Sequence, residues 1–297
     1  MTVKSMKTYV ASIPPYLVDA DIHAHMSNIG EGCELTEVMA ASLKFVFPLD
    51  VCLLRFLLDY AAARSESVIF DCPSDPDVHR YLCRMDFYRD LPGNVQLSSA
   101  VPNLVRKNLG GSLIEMTRVT KSIDVEDVIH RTWEVTRAQF GSGNMATATA
   151  TAVGAATENV LDHAESQFGA LVAAQRYKKG LQLAVADLGL GIPTTMRRLP
   201  KYSKLSDQDA VALSLKDQET STGRVGQGAG LYELLTAIGR AGNSNLVIRS
   251  GLAHLTIQFQ GGLEIRRFLT PPSSIQGTLI SIHLLPNKSK NQGEKNG

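Results

Sequence analysis

The sequence predicts two α/β units that meet near residue 110, and three observations support this. The length of 297 residues is about twice that of a usual single domain. Over residues 35–95, short apolar strand candidates alternate with helical patterns, which favours parallel strand pairing. After Gly110-Gly111, two long helical patterns precede several short apolar strands. We expect an irregular arm at 1–29, an α/β domain at 30–108, a second domain at 109–287 and a disordered tail at 288–297.

In the first unit, the apolar segments indicate two strands and two helices. Residues 42–47 (SLKFVF) and 68–70 (VIF) are strand candidates. Apolar residues recur at helical spacing from Val51 to Ala63. Asp75-Pro76 supplies an N-cap and a first-turn proline, which predicts a helix over 77–85.

In the second unit, we expect a strand over 113–119 and a helix over 125–139, with a second helix over 145–164. The segment ATATATAVGAA within 145–164 alternates like a strand, but its alanine content favours helix. Further predictions are a strand at 181–186, helices at 207–215 and 231–238, and strands at 246–250, 255–259, 263–268 and 279–284.

Composition and charge exclude several classes of function. The net charge of +1 argues against a general polyanion-binding surface and leaves a local basic patch as the alternative, so we expect no nucleic-acid partner. The most apolar long stretch, 43–63, carries Lys44, Asp50, Arg55 and Asp59, which argues against a bilayer span. The four cysteines form no Cys-x-x-Cys pair, which favours buried thiols in a reducing compartment. We therefore expect a cytoplasmic protein without a membrane partner.

A cluster of Asp21, His23 and His25 near the amino terminus has the residue types of a metal site. Nothing nearby in the sequence supplies a further ligand. A solvated loop is therefore the preferred interpretation, and metal binding is the alternative.

Three short motifs in the second unit carry potential chemistry. Asn159 and His163 lie one helical turn apart on the predicted helix. Asp187-Leu188-Gly189-Leu190-Gly191 directly follows an apolar strand, and Gly226-Gln227-Gly228-Ala229-Gly230-Leu231 opens a helix. A glycine-rich turn before a helix can bind phosphate through backbone N–H groups, although it can equally be a flexible loop. No strand precedes the glycines and no Gly-Lys-Ser/Thr follows them, so Rossmann and Walker A sites are excluded.

The order of these motifs resembles the GHKL superfamily of ATP-binding domains, which includes gyrase B, MutL, histidine kinases and anti-sigma-factor serine kinases. The resemblance covers roughly residues 111–286, including a closing Gly277-Thr278 before the last strand. It implies an α+β sandwich, the Bergerat fold, with helices on one face of a mixed sheet. It also implies ATP and Mg²⁺ as cofactors.

The resemblance assigns each motif to one part of ATP. Asn159 would coordinate Mg²⁺, and Asp187 would accept the exocyclic N–H of adenine. Gly189 and Gly191 would let the chain pass close to the base, and Thr278 would supply a hydroxyl to the adenine site. The phosphates would lie against the turn under a mobile lid at 193–225. The remaining residues implied for ATP are His163, Gly226, Gly228, Gly230 and Leu231.

One departure from the family pattern concerns catalysis. GHKL enzymes that activate a nucleophile commonly carry a glutamate one helical turn before the asparagine, and Ala155 occupies that position here. Glu158 is the candidate substitute as general base, but it is rotated by about 100° from Asn159 on a helix. The alternative for Glu158 is a surface carboxylate.

The first unit resembles the STAS-type domains that accompany anti-sigma-like ATPase domains. This resemblance implies a regulatory protein partner, which could be STAS-like or the chain itself, and a homodimer is compatible with it. Ser65 and Ser74 lie near predicted turns and are the candidate phosphoacceptors.

The leading functional prediction is an ATP-binding regulatory protein that acts through nucleotide-dependent protein contacts. The first alternative is an anti-sigma-like serine kinase or slow ATPase. The second is a nucleotide-sensing component of a DNA-associated or phage-defence system.

Overall fold

A computed structural model of the chain describes residues 7–17, 19–104, 111–216, 230–240, 243–271 and 273–286. Strand and helix alternate through the first third of the chain. The seven elements are β1 (Thr8–Ser12), α1 (Asp19–Asn28), β2 (Cys33–Met39), α2 (Pro48–Arg64), β3 (Ser65–Asp71), α3 (Pro76–Arg84) and β4 (Val95–Leu97). The strands form one parallel sheet in the order β1-β2-β3-β4, as the alternating pattern predicts.

Two predictions for the first unit are wrong. Residues 1–29 are not wholly irregular, because β1 pairs with β2 and α1 follows it. β1 is a short edge strand whose paired residues in β2 lie 27 positions away in sequence, so its own sequence carries little signal. Residues 42–47 are not a strand: Phe45 makes only an isolated bridge to Tyr16 before α2 begins. The strand in this region is β2, whose polar Glu34, Thr36 and Glu37 obscure its pattern.

Helix α2 confirms the predicted helical segment and lies between the two sheets of the protein. It contacts β2 and β3 on one side and β6 and β7 (defined below) on the other. Its residues from Val51 to Ala61 are all buried, including the ion-paired Arg55 and Asp59, because the helix packs against both sheets. Leu171 and Leu279 of the second sheet belong to the same apolar cluster as α2, so one core spans both units.

Seven strands and five α-helices make up the described part of the second unit. These are β5 (Leu113–Val119), α4 (Ser122–Phe140), α5 (Gly143–His163), β6 (Ala170–Tyr177), β7 (Gly180–Asp187), α6 (Gly191–Arg197), α7 (Asp207–Ser214), α8 (Gly230–Arg240), β8 (Ser244–Gly251), β9 (Ala253–Gln260), β10 (Leu263–Leu269) and β11 (Ile275–Leu284). Helices α4, α5 and α8 contribute to the apolar core on one face of the sheet, together with β6, β7, β8 and β11.

The second sheet is antiparallel throughout its described strands, in the order β10-β9-β8-β11-β7-β6-β5. The predicted mixed sheet is therefore wrong. The reason is local: tight turns join β6 to β7, β8 to β9 and β9 to β10, and such turns reverse the chain.

Two features of the predicted domain division fall on residues that the structure does not describe. These are the predicted boundary at 108/109 and the predicted tail at 288–297. Within the described ranges, no helix is long and apolar enough to cross a membrane.

Candidate functional site

A cavity of about 90 Å³ lies between the carboxyl-terminal half of α5 and the second sheet. Helix α6, the end of α7 and the beginning of α8 complete its wall. The lining residues are Ala156, Asn159, Val160, His163, Ala164, Val185, Asp187, Gly191, Ile192, Thr195, Met196, Ser214, Leu231, Thr278 and Ile280. The wall is thus mostly apolar with a few polar groups, which is the usual composition of a small-molecule site.

Most residues predicted for the site meet at this cavity. The six lining residues among them are Asn159, His163, Asp187, Gly191, Leu231 and Thr278. Gly230 is the first residue of α8, next to Leu231. Gly226 and Gly228 lie outside the described residues. The structure therefore brings together side chains that are up to 119 positions apart in sequence (Asn159 to Thr278).

Asp187 is the last residue of β7 and is only 1% exposed. Its Oδ1 accepts a hydrogen bond from the Gly189 backbone N–H, with 2.7 Å between the two atoms. The Thr278 backbone N–H also donates to this carboxyl group, because β11 places Thr278 opposite Asp187. Burial raises the pKa of Asp187 to about 7, and both backbone hydrogen bonds act in the opposite direction.

The Asp187 carboxylate has acceptor capacity to offer a ligand. A carboxylate has about four lone-pair sites, and two backbone donors account for half of them. No lysine or arginine of the described ranges forms an ion pair with Asp187. A ligand N–H that enters the cavity would therefore meet a buried acceptor without a competing cation.

Two glycines allow the turn after β7 to pack closely against α5 and β8. A Cβ on Gly189 would lie 2.1 Å from the carbonyl oxygen of Ala164, so Gly189 allows the turn to dock on the end of α5. The next residue, Leu190, donates its N–H to that same oxygen at 2.7 Å. Gly191 has φ +75°, and a Cβ there would lie 2.7 Å from the Ser250 Oγ. Gly191 lines the cavity, whereas Gly189 is not among the lining residues.

Ser250 is a site residue that the sequence analysis missed. It is fully buried at the end of β8. Its Oγ donates to the Gly277 carbonyl oxygen at 2.8 Å, accepts from the Ile192 N–H at 2.9 Å and lies 3.2 Å from the Thr278 Oγ1. Ser250 thereby joins α6 to β11 beneath the cavity. A serine at a strand end belongs to no motif, so no sequence signal could have found it.

The two positions considered for a general base lie outside the cavity. Glu158 is exposed on α5, and neither Glu158 nor Ala155 lines the wall. Asp187 is the one carboxylate among the lining residues of this cavity. Its backbone donors and its burial suit a binding group.

The residues of the predicted lid form helical turns beside the cavity over the part that is described. Helix α6, a 3₁₀ turn (Pro200–Tyr202) and α7 occupy most of the described residues 193–216. Arg197 of α6 forms an ion pair with Asp207 of α7, and Asp207 also accepts the Leu252 N–H. This part of the segment is therefore anchored to the sheet, and residues 217–225 lie outside the described ranges.

The amino-terminal Asp/His cluster is not the predicted loop, because its residues lie in α1. His23 is buried, and its Nδ1 lies 3.4 Å from the Gln276 N–H nitrogen. His25 contacts the Tyr9 hydroxyl at 2.9 Å and the Ser12 carbonyl oxygen at 3.1 Å. The part of the chain that the structure describes contains no group of three His, Cys, Asp or Glu side chains that could hold a metal ion.

The two candidate phosphoacceptors differ in access. Ser65 is buried at the start of β3, where its Oγ lies 2.7 Å from the Thr36 Oγ1. Ser74 is exposed in the turn after β3. Only Ser74 is therefore open to a modifying enzyme in this conformation.

The raised pKa of Asp187 predicts a pH dependence of stability. The folded protein keeps this proton up to about pH 7, whereas the unfolded chain loses it near the ordinary value of 3.8. The favourable contribution is therefore complete below about 3.8, declines between the two values and is absent above about 7. We expect the free energy of unfolding to fall across this window, and Asp187→Asn to reduce that fall.

Urea denaturation at several pH values measures this difference. Burial also raises the pKa of Asp50 to about 7, so the variant should retain part of the slope. Identical slopes in the wild type and Asp187→Asn would contradict the prediction.

The sequence matches no protein-family model and no curated protein. A solved structure entitled "Crystal Structure of N terminal domain of a DNA repair protein" is similar to 35% of this chain, at 14% identity and with a TM-score of 0.17. The matched region spans 28% of that chain. A similarity this low carries no argument about fold or function.

Proposed function

We propose that this protein is an ATP-binding regulatory protein of the GHKL superfamily. One observation carries the proposal: Asn159, Asp187, Gly191 and Thr278 line one cavity, although they come from three distant segments of the sequence. In this proposal the seven-stranded sheet with α4, α5 and α8 is the Bergerat ATP-binding fold. The four-stranded unit is the STAS-like domain.

The chemistry of the cavity supports an adenine ring as its occupant. Adenine is a flat apolar ring with an exocyclic amino donor, and the cavity combines an apolar wall with a buried acceptor at Asp187. Gly191 allows the turn to pack closely beside Asp187, because a Cβ at this position would clash with the Ser250 side chain. Thr278 supplies a hydroxyl on the adjacent strand.

The donor set also fits Mg²⁺ that arrives with the phosphates. Mg²⁺ prefers oxygen ligands and is usually held by one or two protein groups together with phosphates and water. Asn159 offers one amide oxygen at the cavity wall. Bound Mg²⁺ would neutralise phosphate charge, and Asn159 would orient it.

The position of Glu158 supports ATP binding without rapid hydrolysis. A general base must reach the proton that it removes, and Glu158 is exposed outside the cavity wall. The regulatory assignment is therefore preferred to a serine kinase or fast ATPase. ATP would act through different affinities for two conformations, which requires no hydrolysis.

Thermal unfolding with and without ATP–Mg²⁺ tests this function. At about 100 times the Kd, a ligand that binds only the folded state adds about 2.7 kcal/mol, so the Tm should rise. Asn159→Ala should lose the additional stabilisation that Mg²⁺ gives over ATP in EDTA. Glu158→Ala, the neighbouring exposed position, should behave like the wild type and serves as the control.

The absence of a Tm shift at millimolar ATP–Mg²⁺ would contradict ATP binding. Equal loss in Asn159→Ala and Glu158→Ala would contradict the metal assignment alone.

A further inference from the structure

Strand β10 forms one edge of the seven-stranded sheet. It pairs with β9 on one side, and no described residue pairs with its other side. All seven of its residues are exposed. An edge strand of this kind presents unpaired backbone groups that can pair with another chain.

Four of the seven side chains of β10 are apolar and exposed. Leu263 is 69% exposed and Leu269 is 45% exposed, and Ile265 and Phe268 are also exposed. Apolar side chains along an exposed edge favour association with another strand.

The register with β9 divides the β10 side chains between the two faces of the sheet. Glu264 and Arg266 lie opposite Phe259 and Ile257 of β9, so they share the face that packs on the helices. Ile265 lies on the opposite face, flanked along the strand by Leu263 and Arg267. Glu264 and Arg266 contact each other within the strand.

Self-pairing is possible in several registers, but charge favours one. When two copies of a strand pair antiparallel, the central residue faces its own copy, and residues at equal distances on either side face each other. With Ile265 at the centre, Glu264 faces the partner's Arg266, and the same contact recurs by symmetry. A centre at 264 places two glutamates face to face, and centres at 266 and 267 do the same with two arginines. Opposite charges across a strand pair stabilise it, whereas like charges destabilise it.

We propose that two copies of the protein associate through antiparallel pairing of their β10 strands, centred on Ile265. The pairing extends the sheet across both copies, with two Glu264–Arg266 contacts on one face and an isoleucine pair on the other. Arg267 lies over the partner's Leu263. A contact confined to one strand is small, so the dimer should depend on protein concentration.

Sedimentation velocity over a concentration series, applied to the wild type and to charge-reversal variants of β10, tests the proposal. The wild type should shift from monomer to dimer as its concentration rises. Glu264→Arg and Arg266→Glu should each raise the dimer Kd by about tenfold, because each puts two like-charged pairs face to face. The double variant Glu264→Arg/Arg266→Glu should restore the wild-type Kd.

Arg267→Glu is the matched control, because it makes the same charge change as Arg266→Glu at a position that faces Leu263 of the partner subunit. It should keep a Kd close to that of the wild type. All three substituted positions are exposed, so an unchanged Tm will show that each variant is folded. A wild type that stays monomeric at every concentration, or a double variant no better than the single ones, would overturn the proposal. After either result, an extended peptide of another protein would be the remaining candidate partner for this edge.

Discussion

Asp187→Asn is expected to weaken ATP binding by roughly 10- to 150-fold. Hydrogen bonds to charged groups contribute about 1.5–3 kcal/mol, and this variant replaces the acceptor that would face the adenine amino group. An asparagine has the same volume but must direct its N–H₂ either at the Gly189 N–H or at the adenine amino group. In both orientations one donor faces another.

Isothermal titration calorimetry at about pH 8 measures this effect, because Asp187, with a pKa of about 7, is then mostly ionised. Asp162→Asn on the exposed side of α5 makes the same chemical change outside the cavity wall and should leave the Kd unchanged. A retained affinity in Asp187→Asn would show that Asp187 is not the adenine acceptor.

Asp59→Ala is expected to cost about 3–5 kcal/mol of stability, because it would remove the anion between two arginines. The Nε of Arg55 lies 3.0 Å from the Asp59 Oδ1, and Arg118 of β5 pairs with the other carboxylate oxygen. Arg55 and Asp59 lie on α2 and are both almost fully buried, so this network joins the two units. The Arg55 Nη1 also donates to the carbonyl oxygen of Arg89 at 2.6 Å.

Chemical denaturation of Asp59→Ala and Asp127→Ala compares the stability lost with a buried ion pair and with a surface ion pair. Asp127 pairs with Arg131 at 3.5 Å, and its side chain is 57% exposed, so its removal should cost less than about 1 kcal/mol. Similar losses in the two variants would contradict the account of the buried network.

The strong local patterns of the sequence predicted much of the fold. The predicted strand at 113–119 matches β5, and the alanine-rich segment within 145–164 is part of helix α5. Asp75 caps α3 as predicted, by accepting the Asp77 N–H at 2.9 Å. These elements form because capping, apolar spacing and alanine content all act within a few residues of one another.

The missed elements depend on distant partners. Strand β1 obtains its pairing from β2, and β2 is polar enough to hide its buried face. The first five residues of β6 are all buried. This segment therefore lacks the alternation of apolar and polar residues that would predict a strand. The position of α2 between two sheets is likewise a tertiary property.

The candidate site was predictable to the extent that it uses motif residues. Asp187 and Asn159 belong to recognisable motifs, and both line the cavity. Ser250 and Met196 reach the site through tertiary packing and belong to no motif. Ser250 in particular acts through backbone groups of Ile192 and Gly277, which only the folded chain brings together.

The most direct measurement of the central claim is a double-mutant cycle between Asp187 and the adenine amino group. Calorimetry would compare ATP with purine riboside triphosphate, which lacks that amino group, in the wild type and in Asp187→Asn. The account predicts that the wild type binds ATP about 10- to 150-fold more tightly than the analogue, and that this preference is lost in the variant. An equal preference for ATP in both proteins, or equal affinity of the wild type for both nucleotides, would contradict the claim that Asp187 recognises adenine.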